Sequence, residues 1–186
     1  MFMKERIKIN PWSFGGIINI EVSVSSRNDH ALKFVTYTRI HTLHASKTIN
    51  APARFVYGWC TDYRENDTKI TGSKAKRKIL LKTQHRVIYT STYRSGGKPI
   101  SAVNVVTLYP PKAWHLDFVG DDDDEVGDYV LTKLGPQRTR LDMTFTEHYK
   151  THNAPTKAQD LKQIHQAWDK YAAALEKDYT TKRKSH

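Results

Sequence analysis

Between Pro155 and Thr181 the chain reads PTKAQDLKQIHQAWDKYAAALEKDYTT. Its apolar positions, Leu161, Ile164, Trp168, Tyr171, Ala172, Leu175 and Tyr179, recur every three or four residues, which sets them on one face of an α-helix. Gln159, Asp160, Lys162, Gln163, Asp169, Lys170 and Lys177 fill the other face. Such a helix runs about seven turns, roughly 40 Å at 1.5 Å per residue. A helix of that length with one apolar face has to bury it against a large partner.

The partner lies upstream, where the hydrophobic period is two rather than 3.6. Tyr37–Ile49 reads as a strand, and Ser73–Lys82 alternates Lys74, Lys76 and Lys78 with Ala75, Arg77, Ile79 and Leu81. Arg86–Tyr93 places Val87, Tyr89, Ser91 and Tyr93 on one face, and Ser95-Gly96-Gly97-Lys98 is a hairpin signal. Pro99–Tyr109, Ala113–Val119, Glu125–Leu134 and Arg138–Tyr149 complete the strands, with Gly120–Asp124 as a turn. After the first strand, Asn50 is a candidate N-cap with Pro52 in the first turn of a short helix, Ala53–Cys60. Thr61–Ile70 holds a second short helix or a loop.

The fold class expected is α+β: a curved antiparallel sheet of about seven strands wrapping a long C-terminal helix, with two short helices after the first core strand. One domain over residues 37–182 fits a chain of 186 residues. Residues 1–36 form an N-terminal extension, either an added strand or hairpin around Ile17–Val24 or a loosely attached segment. Residues 183–186 form a basic tail.

Several segments resemble a known family. Thr48-Ile49-Asn50-Ala51-Pro52-Ala53-Arg54-Phe55-Val56-Tyr57 looks like the Ile-x-Ala-Pro opening of the START-related superfamily, and Thr61-Asp62-Tyr63 resembles the x-Asp-Tyr that often follows it. Leu108-Tyr109-Pro110-Pro111 resembles its mid-sheet proline turn, and Gly135–Leu141 its Gly-x-Thr-x-Leu lead into the last strand. The resemblance covers about residues 40–182. It implies the helix-grip fold and an apolar internal pocket. It does not imply one activity, since lipid carriers, sensors and polyketide cyclase/dehydrase enzymes share that superfamily.

A sheet curved around one helix leaves space where side chains fail to meet, and such space, apolar with a few polar groups, is the usual form of a small-molecule site. The candidate ligand-binding residues are Tyr89, Tyr93, Trp114, Leu116, Phe118, Tyr129, Leu131, Met143, Phe145, His165 and Trp168. The aromatic rings supply wall area, while the Tyr hydroxyls, the indole N–H and His165 orient a polar end. Arg77 sits on the apolar parity of its strand, where it either pairs with a ligand carboxylate or snorkels outward.

The leading reading is non-enzymatic: binding or transport of a hydrophobic small molecule, lipid-like or aromatic. The alternatives are a cyclase or dehydratase acting on an apolar polyketide-like substrate, and a basic nucleic-acid-binding module. A net charge of +11 attracts polyanions, and an anionic membrane surface is a further candidate partner. Nucleic acid is disfavoured because the lysines at 74, 76 and 78 alternate with other residues as on any solvated sheet face. No cofactor and no metal are expected: the nine histidines and the single Cys60 lack ligand spacing, and Asp121-Asp122-Asp123-Asp124 reads as a solvated acidic turn of unassigned meaning. A lone cysteine, the absence of a secretory pattern and the lack of a long apolar run make the cytoplasm the expected location. Catalytic residues, ligand identity and oligomeric state are not assigned from the sequence.

Overall fold

A computed structural model describes residues 35–95 and 97–184. The expected N-terminal strand at Ile17–Val24 and the last residues of the basic tail therefore lie outside the described residues. The elements are β1 (Arg39–Ile49), α1 (Ala53–Cys60), a single 3-10 turn (Asp67–Lys69), β2 (Lys76–Lys82), β3 (Arg86–Ser95), β4 (Lys98–Tyr109), β5 (Ala113–Gly120), β6 (Asp123–Gly135), β7 (Arg138–Tyr149) and α2 (Lys157–Lys184).

The strands form one seven-stranded sheet in the order β1-β7-β6-β5-β4-β3-β2, antiparallel throughout. Consecutive hairpins build β2 to β7, and the first strand returns to pair with the last. The β3–β4 hairpin sets Ser95 opposite Lys98, and Gly97 takes φ +81°, a left-handed conformation that glycine adopts without steric cost. The alternation along β4 and β7 turns Ala102, Asn104, Val106, Leu108, Leu141, Met143, Phe145 and Tyr149 inward. Of these, Val106, Leu108, Leu141, Met143 and Phe145 make the core together with Leu43 and Ile49 of β1, Val56 of α1 and Ala172 and Leu175 of α2.

The helix starts where the chain first can start it. Thr156 and Gln159 form a reciprocal capping pair: the Thr156 N–H donates to Gln159 Oε1 at 2.7 Å, and the Gln159 N–H to Thr156 Oγ1 at 3.3 Å. The helix then continues into the basic segment as far as Lys184, two residues beyond the expected domain limit at 182. Asp160, only 5% exposed in its first turn, contacts His41 Nδ1 on β1 at 2.6 Å and so ties the helix start to the sheet.

Four local expectations are corrected. The N-cap of α1 is Pro52, whose φ of −62° is set by its ring, while the Asn50 N–H donates instead to Glu176 Oε1 on α2. The second short helix is only a 3-10 turn. The alternation in β2 breaks at a bulge between Ile79 and Leu81, which leaves Leu81 43% exposed although Ile79 packs on the core. The acidic run is no wholly solvated turn: Asp123 and Asp124 belong to β6, Asp124 Oδ1 accepts from Lys150 Nζ at 2.6 Å, and its Oδ2 accepts from the Tyr37 hydroxyl at 2.7 Å.

Candidate functional site

α2 packs against β1 at one end of the sheet. In the gap between α1, the 3-10 turn, β2, β3, β5, β6 and the middle of α2 lies a cavity of about 160 Å³. A larger depression over Ala173, Glu176, Lys177 and Thr180 is open surface on one helix and encloses nothing.

The cavity wall is aromatic. Trp114 of β5 stacks on Tyr129 of β6 at 4.8 Å and 11° between planes, and Tyr129 meets Trp168 of α2 at 6.0 Å. Trp168 contacts Tyr171 one turn on at 5.5 Å, and Tyr171 meets Trp59 of α1 edge-on at 6.3 Å. The Trp59 indole N–H donates to Asp178 at 2.8 Å, which fixes the ring. Tyr63 and Tyr89 close the side toward β2, 5.6 Å apart. Tyr63 has φ +43°, a left-handed backbone rare for an aromatic residue, and this bend turns the ring back onto Tyr89. Burial raises the phenols of Tyr63, Tyr89 and Tyr129, Tyr89 to about 12, so they remain O–H donors at neutral pH. Leu116 and Cys60 complete the wall, and burial pushes the Cys60 thiol up to about 12, which keeps it protonated and unreactive.

One side of this cavity is charged. Arg77 projects inward from β2 with its side chain 11% exposed, and its guanidinium sits 4.5 Å from the Tyr89 ring centroid and 5.6 Å from that of Tyr63. Its Nη1 donates to Asp67 Oδ2 and to the Arg64 carbonyl, both at 3.1 Å. Arg77 thus turns inward rather than snorkelling out, because the 3-10 turn brings Asp67 over the sheet to meet it.

Of the residues named from the sequence, Tyr89, Trp114, Leu116, Tyr129 and Trp168 come together around the cavity. Leu131 and Met143 are packed in the core, and Phe145 backs Tyr129 edge-on at 5.5 Å without lining the space. Phe118 is half-buried against Gly120, and Tyr93 lies near the acidic turn, where burial and Asp121, Asp122 and Asp123 raise its phenol to about 12. His165 is exposed on α2, outside the cavity. Sequence reasoning missed Trp59, Cys60, Tyr63, Asp67 and Tyr171 as wall residues. Phe55, Val56, Trp59 and Cys60 do share helical spacing on α1, a signal that could have found two of them. The left-handed Tyr63 and the closure of Asp67 on Arg77 carry no such signal.

Among the described residues no group of His, Cys, Asp and Glu is arranged to hold a metal ion, and no helix is long and apolar enough to cross a membrane.

No protein-family model matches the chain, and no curated protein matches it in sequence. Solved structures do match in three dimensions. The Zhui aromatase/cyclase from Streptomyces sp. R1128 superposes with a TM-score of 0.58 at 15% identity, over 76% of this chain and 94% of its own. A START superfamily protein from Mycobacterium smegmatis gives 0.56 at 17% identity over 76% and 98%, and a conserved protein from Geobacillus kaustophilus gives 0.60 at 14% over 75% and 97%. What the chain shares with these structures is their fold, the helix-grip arrangement of a curved antiparallel sheet around a long C-terminal helix.

Proposed function

We propose that this protein binds a small aromatic molecule in the cavity between α2 and the sheet. The observation that carries the reading is a space of about 160 Å³ walled by the rings of Trp59, Tyr63, Tyr89, Trp114, Tyr129, Trp168 and Tyr171. An apolar protein cavity of about 150 Å³ is large enough to hold benzene, whereas sites for drug-sized ligands occupy about 300–1,000 Å³. Within the wider class of hydrophobic ligands, the size supports a single-ring compound over a sterol or a long acyl chain. Binding, rather than turnover, fits a wall whose thiol and phenols all stay protonated at neutral pH. The cyclase or dehydratase alternative needs a free acid or base that faces the ligand; Asp67, the carboxylate on the wall, is paired with Arg64 and Arg77, and Glu125 and Glu147 are not among the wall residues.

Trp59, Trp114 and Trp168 report on the cavity by their emission. Titration with toluene or phenol is expected to give a saturable change, with a Kd on the order of 0.1–1 mM from the apolar area removed from water. Toluene binding is expected to be insensitive to salt, since burial is not screened. No saturable change up to the solubility limit, with tight salt-sensitive RNA binding in its place, overturns the proposal.

A further inference from the structure

We propose that the ligand of this cavity is an aromatic monocarboxylate, its carboxylate held by the free edge of Arg77 and its ring stacked among Trp114, Tyr129 and Trp168. The inference rests on the cavity being the binding site proposed above and adds the charge of what enters it.

The Arg77 guanidinium has two edges. Nη1 is committed to Asp67 and to the Arg64 carbonyl. Nε is buried and donates to nothing among the described residues, and Nη2 lies on the same edge of the guanidinium. A buried N–H left unmade costs free energy that an acceptor entering the cavity would recover. The side-on edge of a guanidinium presents two parallel N–H groups, the geometry that a carboxylate accepts in bidentate fashion.

Charge favours the same group. Arg77 and Asp67 of the wall belong to a cluster in which, among the described residues, Arg64, Arg77 and Lys82 pair with Asp62 and Asp67: Arg64 Nε lies 3.0 Å from Asp67 and 3.6 Å from Asp62, and Lys82 Nζ lies 2.9 Å from Asp62. Three cations against two carboxylates leave one positive charge uncompensated, which suits one anionic group. On the β6 side the nearest charge is of the other sign: burial raises the Tyr129 phenol and Glu125 adds to that rise. An amphiphilic ligand is therefore oriented, acid toward β2 and ring toward β6. The volume admits one ring with a carboxyl substituent, as in benzoate or a hydroxybenzoate.

The test compares benzoate with benzyl alcohol, a neutral molecule of similar shape, by calorimetry and Trp emission. Wild-type protein is expected to bind benzoate about tenfold or more tightly than benzyl alcohol. Arg77→Met, which keeps the bulk and removes the charge, is expected to abolish that preference and leave benzyl alcohol within about threefold of wild type. Asp67→Asn, which frees Arg77 from its carboxylate, is expected to tighten benzoate several-fold, and it serves if Arg77→Met does not fold. Equal or better binding of benzyl alcohol to wild type overturns the inference while the cavity reading stands. A benzoate preference that survives Arg77→Met, or benzoate binding unchanged or weakened in Asp67→Asn, overturns it too. Failure of both ligands to bind wild type overturns the cavity reading and this inference with it.

Discussion

Glu125 of β6 and Glu147 of β7 stand directly opposite one another on the concave side of the sheet. Gly127 leaves room for the first of them, since a Cβ there would lie 3.2 Å from Glu125 Oε1 and 3.1 Å from the Tyr129 ring. Burial raises both carboxyls, Glu125 to about 7 and Glu147 to about 9. Each charge adds to the cost of ionising the other, so the two carboxyls share a proton in a hydrogen bond between them. Asp123, raised by burial and by Asp122 and Asp124, adjoins the pair and adds to the negative charge around it.

This pair makes stability fall toward alkaline pH. Both carboxyls ionise near their usual 4.5 in the unfolded chain and only near 7 and 9 in the folded one, so the folded state binds more protons between those values. The contribution is complete below about pH 4.5 and is lost as pH rises through 7 and 9. Glu147→Gln donates the same hydrogen bond at every pH. It is expected to be within about 0.5 kcal/mol of wild type at pH 5 and on the order of 1–2 kcal/mol more stable at pH 9. Urea unfolding at the two pH values decides, and a variant less stable than wild type at pH 9 would refute the proton-sharing pair.

Thr139 is fully buried at the start of β7, and its hydroxyl donates to the Ala51 carbonyl at 2.8 Å, fastening the turn before α1 to the last strand. Thr139→Val keeps the shape and leaves that carbonyl without its donor. A loss of about 1–2 kcal/mol is expected in equilibrium unfolding, and a loss indistinguishable from zero would mean another group takes over the bond.

Trp168 is half-buried between Tyr129 and Tyr171 rather than sealed in the core. Trp168→Ala is expected to cost about 2–3 kcal/mol, below the range of about 3–5 for a fully buried Trp, because part of the ring faces empty space. The enlarged cavity is expected to admit naphthalene-sized compounds that wild type excludes. Wild-type uptake of those compounds, with no gain in the variant, contradicts the placement of this ring on the wall.

His165 lies on the solvent side of α2. His165→Ala is expected to leave stability within about 0.5 kcal/mol of wild type and to leave toluene and benzoate titrations unchanged. A shift in either titration would return this residue to the site.

Much of the cavity was legible before any coordinates. Tyr89, Trp114, Leu116 and Tyr129 follow from strand parity, and Trp168 from helix spacing, because each such position points to one fixed side of its element. His165 stands beside Ile164 at the edge of the apolar face, and a rotation of one residue, about 100° of helix, separates wall from solvent. Spacing resolves such edges poorly. Leu131, Met143 and Phe145 carry the right parity too, but parity cannot distinguish a side chain packed against the helix from one facing a gap.

The sequence by itself determined the order of the elements, their periods and thus the helix-grip fold, since hydrophobic periodicity and turn chemistry are local and additive along the chain. Tertiary structure alone decided where the helix leaves the sheet, how much space remains there, and which charges enter it. Asp67 meets Arg77 from ten residues away, and Glu125 meets Glu147 across two strands joined by a turn. Those meetings depend on how far a strand bulges and where a turn swings, distances of a few ångströms that no local pattern encodes, and the first of them puts charge on the wall of the site.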